Sequence, residues 1–212
     1  MGQKVNPKSF RLQVDHDWDS RWFAADRQSY RTQLWEDLRI REKINQVAGP
    51  QAAIARITIE RTPAKTKVNI FTGRPGVLIG RSGQGIEKMT ALVKKIIPGK
   101  VNVEVVEVRK PELSAVLVAQ SIGQQITRRV AFRRAAKMTI QKVTQAGALG
   151  IKVAISGRVN GAEIARSEKF SEGSIPLSAI KSRIDFAVYH APTTFGTIGV
   201  KVWIYRKPET AE

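Results

Sequence analysis

The chain has 212 residues, 36 Lys and Arg against 18 Asp and Glu, a formal net charge of +18 and 42% hydrophobic residues. That apolar share is enough for a packed core, which excludes a disordered chain, and the cationic excess is self-repelling unless a polyanion supplies counter-charge, nucleic acid before an anionic membrane surface. With no cysteine, disulfides, thiolate metal sites and a cysteine nucleophile are excluded; with only His16 and His190 as imidazoles, histidine metal sites and His-dependent triads are disfavoured, and no cofactor is expected.

In chain order, residues 1–29 read as a basic N-terminal arm and lead-in with few helix signals and no apolar signal core, and no stretch approaches a membrane span. A helix is expected from about Ser29 to Val47, with Leu34, Leu38 and Ile44 on one face and Gly49-Pro50 as its stop. Ile54 to Arg61 alternates and is β-branched, so it reads as a strand, followed by a second at Lys67–Phe71. A short helix fits Pro75 to Ile79, because proline in a first turn lacks an N–H that would be unpaired anyway. The loop Gly80-Arg81-Ser82-Gly83 leads into a helix from Gln84 to Ile97, ended by Pro98-Gly99, and Val101 to Val108 gives a third strand. From Glu112 to about Gln145 the pattern is helical, but its apolar stripe changes phase between Val130 and Phe132, which predicts two helices meeting near 127–130. Four strands follow: Ile151–Val159, Glu163–Phe170, Ile184–Tyr189 and a last one through Ile198, Val200, Val202 and Ile204. Asn160-Gly161 is the strongest hairpin dipeptide. The order predicts an α+β chain of two domains, αββααβ over 30–108 and, over 109–206, helices packed on a four-stranded, largely antiparallel sheet, with a short tail at 207–212.

The positive charge is concentrated. Between Glu60 and Glu104 the only acid is Glu87, among nine basic residues, and the fifty residues between Glu112 and Glu163 hold no acid at all. A run of one sign has no internal ion pairs to offset its repulsion, which favours a bound polyanion over a merely solvated face.

Two constellations carry this further. The glycine loop fails the dinucleotide pattern, because Lys88 stands where its third glycine is needed, and no Gly-Lys-Ser/Thr triplet makes a P-loop. Ile79-Gly80-x-x-Gly83-x-x-Ile86 matches the hallmark of the KH domain, in which two bare glycines let a nucleic-acid backbone approach; the same glycines would equally serve a helix corner that only needs positive φ. The second constellation is Arg128-Arg129-Val130-Ala131-Phe132-Arg133-Arg134-Ala135-Ala136-Lys137. Positions 129, 133 and 137 are spaced to stack three cations on one helix face, with Arg134 beside them, and the arginine fork suits phosphate. The opposite side lacks the apolar band of a membrane-surface helix. Paired carboxylates and activated nucleophiles are missing, so no enzyme is expected, and the four tryptophans read as core or contact anchors.

Met1-Gly2-Gln3-Lys4-Val5-Asn6-Pro7, the Gly73–Gly83 loop, Arg109-Lys110-Pro111-Glu112-Leu113 and the arginine block together resemble the bacterial small-subunit ribosomal protein S-three family. So do Ser156-Gly157-Arg158-x-x-Gly161-Ala162-Glu163-Ile164-Ala165-Arg166 and the Thr193–Ile204 stretch, in the family's order. The resemblance implies a type II KH domain and a family-specific C-terminal domain in the head of the small ribosomal subunit. It implies contact with rRNA and with head proteins of the S-ten and S-fourteen families, and a share, with the S-four and S-five families, in lining the channel through which mRNA enters. Residues implied to touch nucleic acid are Lys4, Gly80, Arg81, Ser82, Gly83, Arg128, Arg129, Arg158 and Arg166, and Arg133, Arg134 and Lys137 fall on the family's mRNA-unwinding cations. It further implies a cytoplasmic, ribosome-bound protein, an organellar ribosome being the other setting. Ser9 and Gln13 stand where the family commonly has glycine, and Ser174 where arginine is usual. A free-standing KH-type RNA regulator and an enzyme acting on nucleic acid are the alternative readings.

Overall fold

The computed structural model describes residues 3–97 and 99–207, so most of the 207–212 tail, Pro98 and the first two residues lie outside the described residues. Contacts divide the chain into two compact units: Trp18–Arg109, and a second that joins the segment ending at Asp17 to the segment beginning at Lys110.

The opening segment therefore does not stand as a separate arm. Asn6 caps a four-residue helix α1 (Pro7–Phe10) by accepting the Lys8 N–H at 2.9 Å. Arg11 follows, fully buried. Its Nε donates to the Ser182 carbonyl at 2.7 Å, and its Nη2 to the Leu177 and Ala179 carbonyls at 2.9 and 2.8 Å. A loop whose carbonyls turn inward needs donors, and one guanidinium supplies five in a fixed fork. That demand draws a residue expected in solvent into the interior. Arg183 reinforces the join by donating to Asp15 at 2.6 Å. Gln13 occupies left-handed backbone at φ +69, the conformation that glycine adopts without strain.

In the unit Trp18–Arg109 the elements are β1 (Ser20–Arg21), α2 (Arg27–Ala48), β2 (Ile54–Arg61), β3 (Thr66–Thr72), α3 (Pro75–Ile79), α4 (Gln84–Ile96) and β4 (Val101–Glu107). The sheet order is β1-β2-β3-β4, with β2 and β3 antiparallel and the outer pairs parallel. Apart from the two-residue β1, this is the expected αββααβ order. Ile57, Ile59, Val68, Ile70, Leu78, Met89 and Val93 form its core with Ile40 and Ile44.

Helix α2 buries a different face from the expected one. Asp37, Ile40 and Ile44 point inward, whereas Leu34 and Leu38 are 41% and 50% exposed. The reason is polar. Asp37 accepts from Ser20 Oγ at 2.9 Å, Trp22 Nε1 at 2.8 Å and Arg61 Nε at 3.0 Å, with Arg61 Nη2 as a further donor. Arg61 also holds Glu36 at 2.6 Å. A buried carboxylate needs its lone pairs filled, and turning Asp37 toward Arg61 on β2 rolls the two leucines outward.

In the other unit α5 (Ala115–Thr127) and α6 (Phe132–Gln145) meet at the predicted phase break and lie on one side of β5 (Gly150–Gly157), β6 (Arg166–Gly173), β7 (Ile184–Thr193) and β8 (Gly196–Tyr205). The sheet order is β6-β5-β8-β7, antiparallel throughout. Asn160-Gly161 does not form a two-residue hairpin. Gly157 pairs with Arg166, leaving a longer connection in which Asn160 and Gly161 supply the positive φ of a single 3-10 turn. Gly123 lets α5 settle on the Tyr189 ring, into which any Cβ would run.

Asp185 on β7 is a buried carboxylate of this unit. It accepts the Ala115 N–H at 2.9 Å, an otherwise orphan donor of the first turn of α5, and pairs with Arg206 at 2.7 Å and Lys8 at 3.2 Å. Burial by itself would push its pKa up, but Lys8, Arg206 and the Ala115 N–H outweigh that and hold it below the ordinary 3.8. A folded-state pKa lowered in this way contributes stability that is complete above the unfolded value and is lost as pH falls through the folded one. Asp185→Asn should therefore lower the unfolding free energy by about 2 kcal/mol near neutrality. In urea unfolding from pH 7 down to pH 3 the gap to the wild type should stay constant above about pH 5 and narrow below about pH 4.

Candidate nucleic-acid interface

The Gly80–Gly83 loop emerges between α3 and α4 as the sequence predicts. Gly80 and Gly83 have φ of +69 and +81, and Ser82, at φ +53, is also left-handed. Arg81 and Ser82 are exposed at the turn. A third glycine was missed by the motif. A Cβ on Gly85 would collide with the Leu78 carbonyl oxygen, so Gly85 is what lets α4 start hard against the end of α3 and push the loop outward. Its signal was present in Gly80-x-x-Gly83-x-Gly85, but its reason is a backbone contact that no spacing rule contains.

The arginine block does not form one continuous helical face. Helix α5 ends at Thr127, and Arg129 sits in left-handed backbone at φ +64 between the two helices, so only 133 and 137 stack along α6. The cause is the break itself: Arg129 and Val130 N–H close the end of α5 on Ile126 and Gln125 carbonyls. Arg134 and Lys137 are exposed and have no ion-pair partner among the described residues. Arg133 is different. Its Nε and Nη2 hold both oxygens of Glu168 on β6, at 3.1 and 2.9 Å. The hydrogen bond from Arg133 lowers the Glu168 pKa and raises that of Arg133. Glu168 is thus a charge-neutralising partner, and it lies 35 residues away in sequence, beyond any local pattern.

Around the Val159–Gly161 turn the fold gathers residues that are scattered in the chain. Arg129 and Arg158 line one groove of about 710 Å³, together with Phe132, Asn160 and Phe195. Arg133, Arg166 and Glu168 line a smaller one of about 240 Å³ that shares Phe132, Val159 and Asn160 with the first. Arg158 is partly engaged, donating to the Ala162 carbonyl at 2.9 Å. Arg128 is exposed at the helix junction. Lys4 is not part of this cluster and lines a separate cleft on the sheet. The Gly80–Gly83 loop belongs to the other unit. Of the tryptophans, Trp22 and Trp203 are half-buried, while Trp18 and Trp35 are more than half exposed. Among the described residues no group of three or more His, Cys, Asp or Glu could hold a metal ion.

Comparison with known proteins decides the kinship. Residues 39–113 match the KH domain family, and residues 122–204 match the family described as ribosomal protein S3, C-terminal domain. The chain is 50% identical over 206 residues to the small ribosomal subunit protein uS3 of Cereibacter sphaeroides, covering 97% of this chain and 86% of that one. The uS3 of Desulforamulus reducens is 48% identical, with 97% and 92% coverage, and that of Parvibaculum lavamentivorans is 50% identical, with 97% and 86%. The chain belongs to the small ribosomal subunit protein uS3 family. The resemblance read from the opening motif, the glycine loop and the basic blocks is borne out, as is the α+β architecture of a KH domain followed by a second domain on an antiparallel sheet.

Within this uS3-family geometry the two candidate surfaces can be tested separately. Arg81→Asp with Ser82→Asp places two carboxylates where a phosphate backbone would pass. Aspartate tolerates the left-handed backbone of position 82, so the melting temperature should hold while affinity for single-stranded RNA falls about fivefold, as like charges at close range require. Glu168→Gln removes the anion that occupies Arg133. Fluorescence anisotropy should then show RNA affinity rising about two- to fivefold at low salt, with the salt slope steeper by about 0.7 for one added phosphate contact.

Proposed function

We propose that this chain is a structural constituent of the small ribosomal subunit head, binds small-subunit rRNA and contacts incoming mRNA through α6. The observation that carries the reading is the family match over 97% of the chain combined with exposed Arg134 and Lys137 on a helix in the middle of the fifty-residue stretch without acid. Positions 133 and 137 are about 6 Å apart along the helix axis, from a ~1.5 Å rise per residue, close to the spacing of successive phosphates on a strand. Contacts to the backbone carry no sequence code, which suits a channel that must accept every message. Arg133 enters this reading as a cation held in reserve. Its exposed pair with Glu168 is screened by salt and weak, so a phosphate can take the place of the carboxylate.

In this reading Arg128, Arg129, Arg158 and Arg166, around the Val159–Gly161 turn, serve rRNA, with Lys4 and the Gly80–Gly83 loop as further contacts. Head proteins of the S-ten and S-fourteen families and the S-four and S-five neighbours of the mRNA channel are the protein partners. The exposed Leu34, Trp35 and Leu38 of α2 support protein contact, since a contiguous apolar patch on a surface marks such sites. The protein acts on the ribosome in the cytoplasm, as a binding protein and not an enzyme.

Sedimentation of a lysate at two magnesium levels tests the first part. Co-migration with small subunits is expected, and a persistent free pool would favour a separate KH-type regulator. Replacing Arg133, Arg134 and Lys137 together by Ala tests the second. Subunit assembly should remain near normal, while translation through a stable mRNA hairpin slows more than through an unstructured control. Equal slowing of both messages, or exclusion of the variant from subunits, would assign these cations to rRNA docking instead.

A further inference from the structure

The sheet of the C-terminal unit has a second face to which the family reading assigns only Lys4, at its margin. Core residues Ile151, Val153 and Ile155 on β5, and Val200, Val202 and Ile204 on β8, turn toward α5 and α6. By strand alternation the residues between them turn the other way. The register sets Lys152 opposite Trp203 and Trp203 opposite Phe186, and in the next row Lys169 opposite Ala154 and Ala154 opposite Lys201. The Phe186 and Trp203 rings lie 5.1 Å apart, and the Lys152 ammonium is 5.6 Å from the centre of the Trp203 ring. Lys4 lines the same cleft, of about 680 Å³, from the N-terminal segment.

Charge on this face is of one sign. The acids of the four strands, Glu168, Glu172 and Asp185, pair in register with Ile155, Ile151 and Ile204 and so fall on the helix side. Surface lysines on a sheet are ordinarily balanced by acidic cross-strand neighbours, and like charges crowded together are destabilising. Here Lys169 and Lys201 flank a small alanine, two strand spacings apart, about 10 Å, with Lys152 one step along the middle strand. Half-buried aromatic rings beside converging cations on an antiparallel sheet are the arrangement by which a flat protein surface takes an unstacked base and its backbone. A duplex presents phosphates but no free base face, so the rings would go unused.

We infer that this outer sheet face is a second RNA-binding surface for single-stranded RNA, with a base stacked on Phe186 and Trp203 and the backbone held by Lys152, Lys169, Lys201 and Lys4. The inference rests on this face and its margin and stands whether or not α6 meets mRNA.

The test uses the full chain and a labelled single-stranded RNA of roughly 12 nucleotides, within the site sizes of single-strand binders. Lys152→Ser/Lys169→Ser/Lys201→Ser should keep the wild-type melting temperature, lose about tenfold in affinity at moderate salt and reduce the salt slope by about 2. Trp203→Leu should lower affinity about fivefold or more for the intact RNA, as loss of one stacked base does, and leave an abasic oligomer unaffected. Ultraviolet crosslinking of the wild-type chain to a bromouridine-substituted RNA should mark Phe186 or Trp203, a readout independent of whether the Trp203 variant folds. Alanine at Arg134 and Lys137 should leave the Trp203-dependent loss intact, which separates this surface from the α6 reading. An unchanged affinity and salt slope in the lysine variant would overturn the inference. So would an equal loss for intact and abasic RNA in Trp203→Leu, or crosslinks confined to α6 and the Gly80–Gly83 loop.

Discussion

Each half of the molecule is organised around one buried carboxylate held by several donors. With eighteen acids against thirty-six bases, one-to-one pairing leaves half of the cations without an acidic partner, and the few carboxylates that are buried become anchoring points. Asp37 fixes the roll of α2 on β2 through Ser20, Trp22 and Arg61. Asp185 fixes the start of α5 on β7 and ties in both Lys8 and Arg206. A buried ionised carboxylate is tolerated only when its lone pairs are filled, so these clusters dictate which helix faces turn inward and which side chains are left outside.

The rest of the charge pattern follows from that arrangement. Carboxylates drawn into Asp37, Asp185 and the Glu168–Arg133 pair are unavailable to neutralise the surface. What remains outside is therefore strongly cationic and is sorted by the fold into distinct places: the helix face of α6, the rim around the Val159–Gly161 turn, and the outer side of the sheet. These differ in what they offer a polyanion. The α6 face presents Arg134 and Lys137 for phosphate, and the turn sets Arg129 and Arg158 beside the exposed Phe195 ring. The sheet face combines lysines with two adjacent, mutually tilted rings, suited to a base as well. The Gly80–Gly83 loop offers mainly bare backbone, shaped by two positive-φ glycines and by the close approach at Gly85.

Much of this was legible in the sequence where the controlling physics is local. Hydrophobic period and punctuation located β2, α3, α4, the α5–α6 break and the C-terminal strands, because strand alternation, proline at a first helical turn and a phase shift in an apolar stripe all act within a few residues. Motif order was enough to indicate the family. The inward face of α2 was not legible, since two leucines outweigh an aspartate on any hydrophobicity pattern, and only Arg61 on another element reverses that ranking. Arg129 left the expected helical stack for a similar reason: the end of α5 closes on its own carbonyls and takes Arg129 into left-handed backbone.

The sequence by itself determined the class of partner, the two-domain α+β plan, the exposed glycine loop and the concentration of cations between Glu112 and Glu163. Those depend on composition and on spacings shorter than a helix. Only the tertiary structure decided that Arg11 is interior, that the opening segment packs with the C-terminal half, that Glu168 occupies Arg133, and that Lys152, Lys169 and Lys201 share one acid-free face with Phe186 and Trp203. Each of these joins residues from separate elements, and which side a strand residue faces is set by the register of its sheet and by which face the helices cover. A one-residue slip would reverse it, and only the packed core of Ile151, Val153, Val200 and Val202 fixes it.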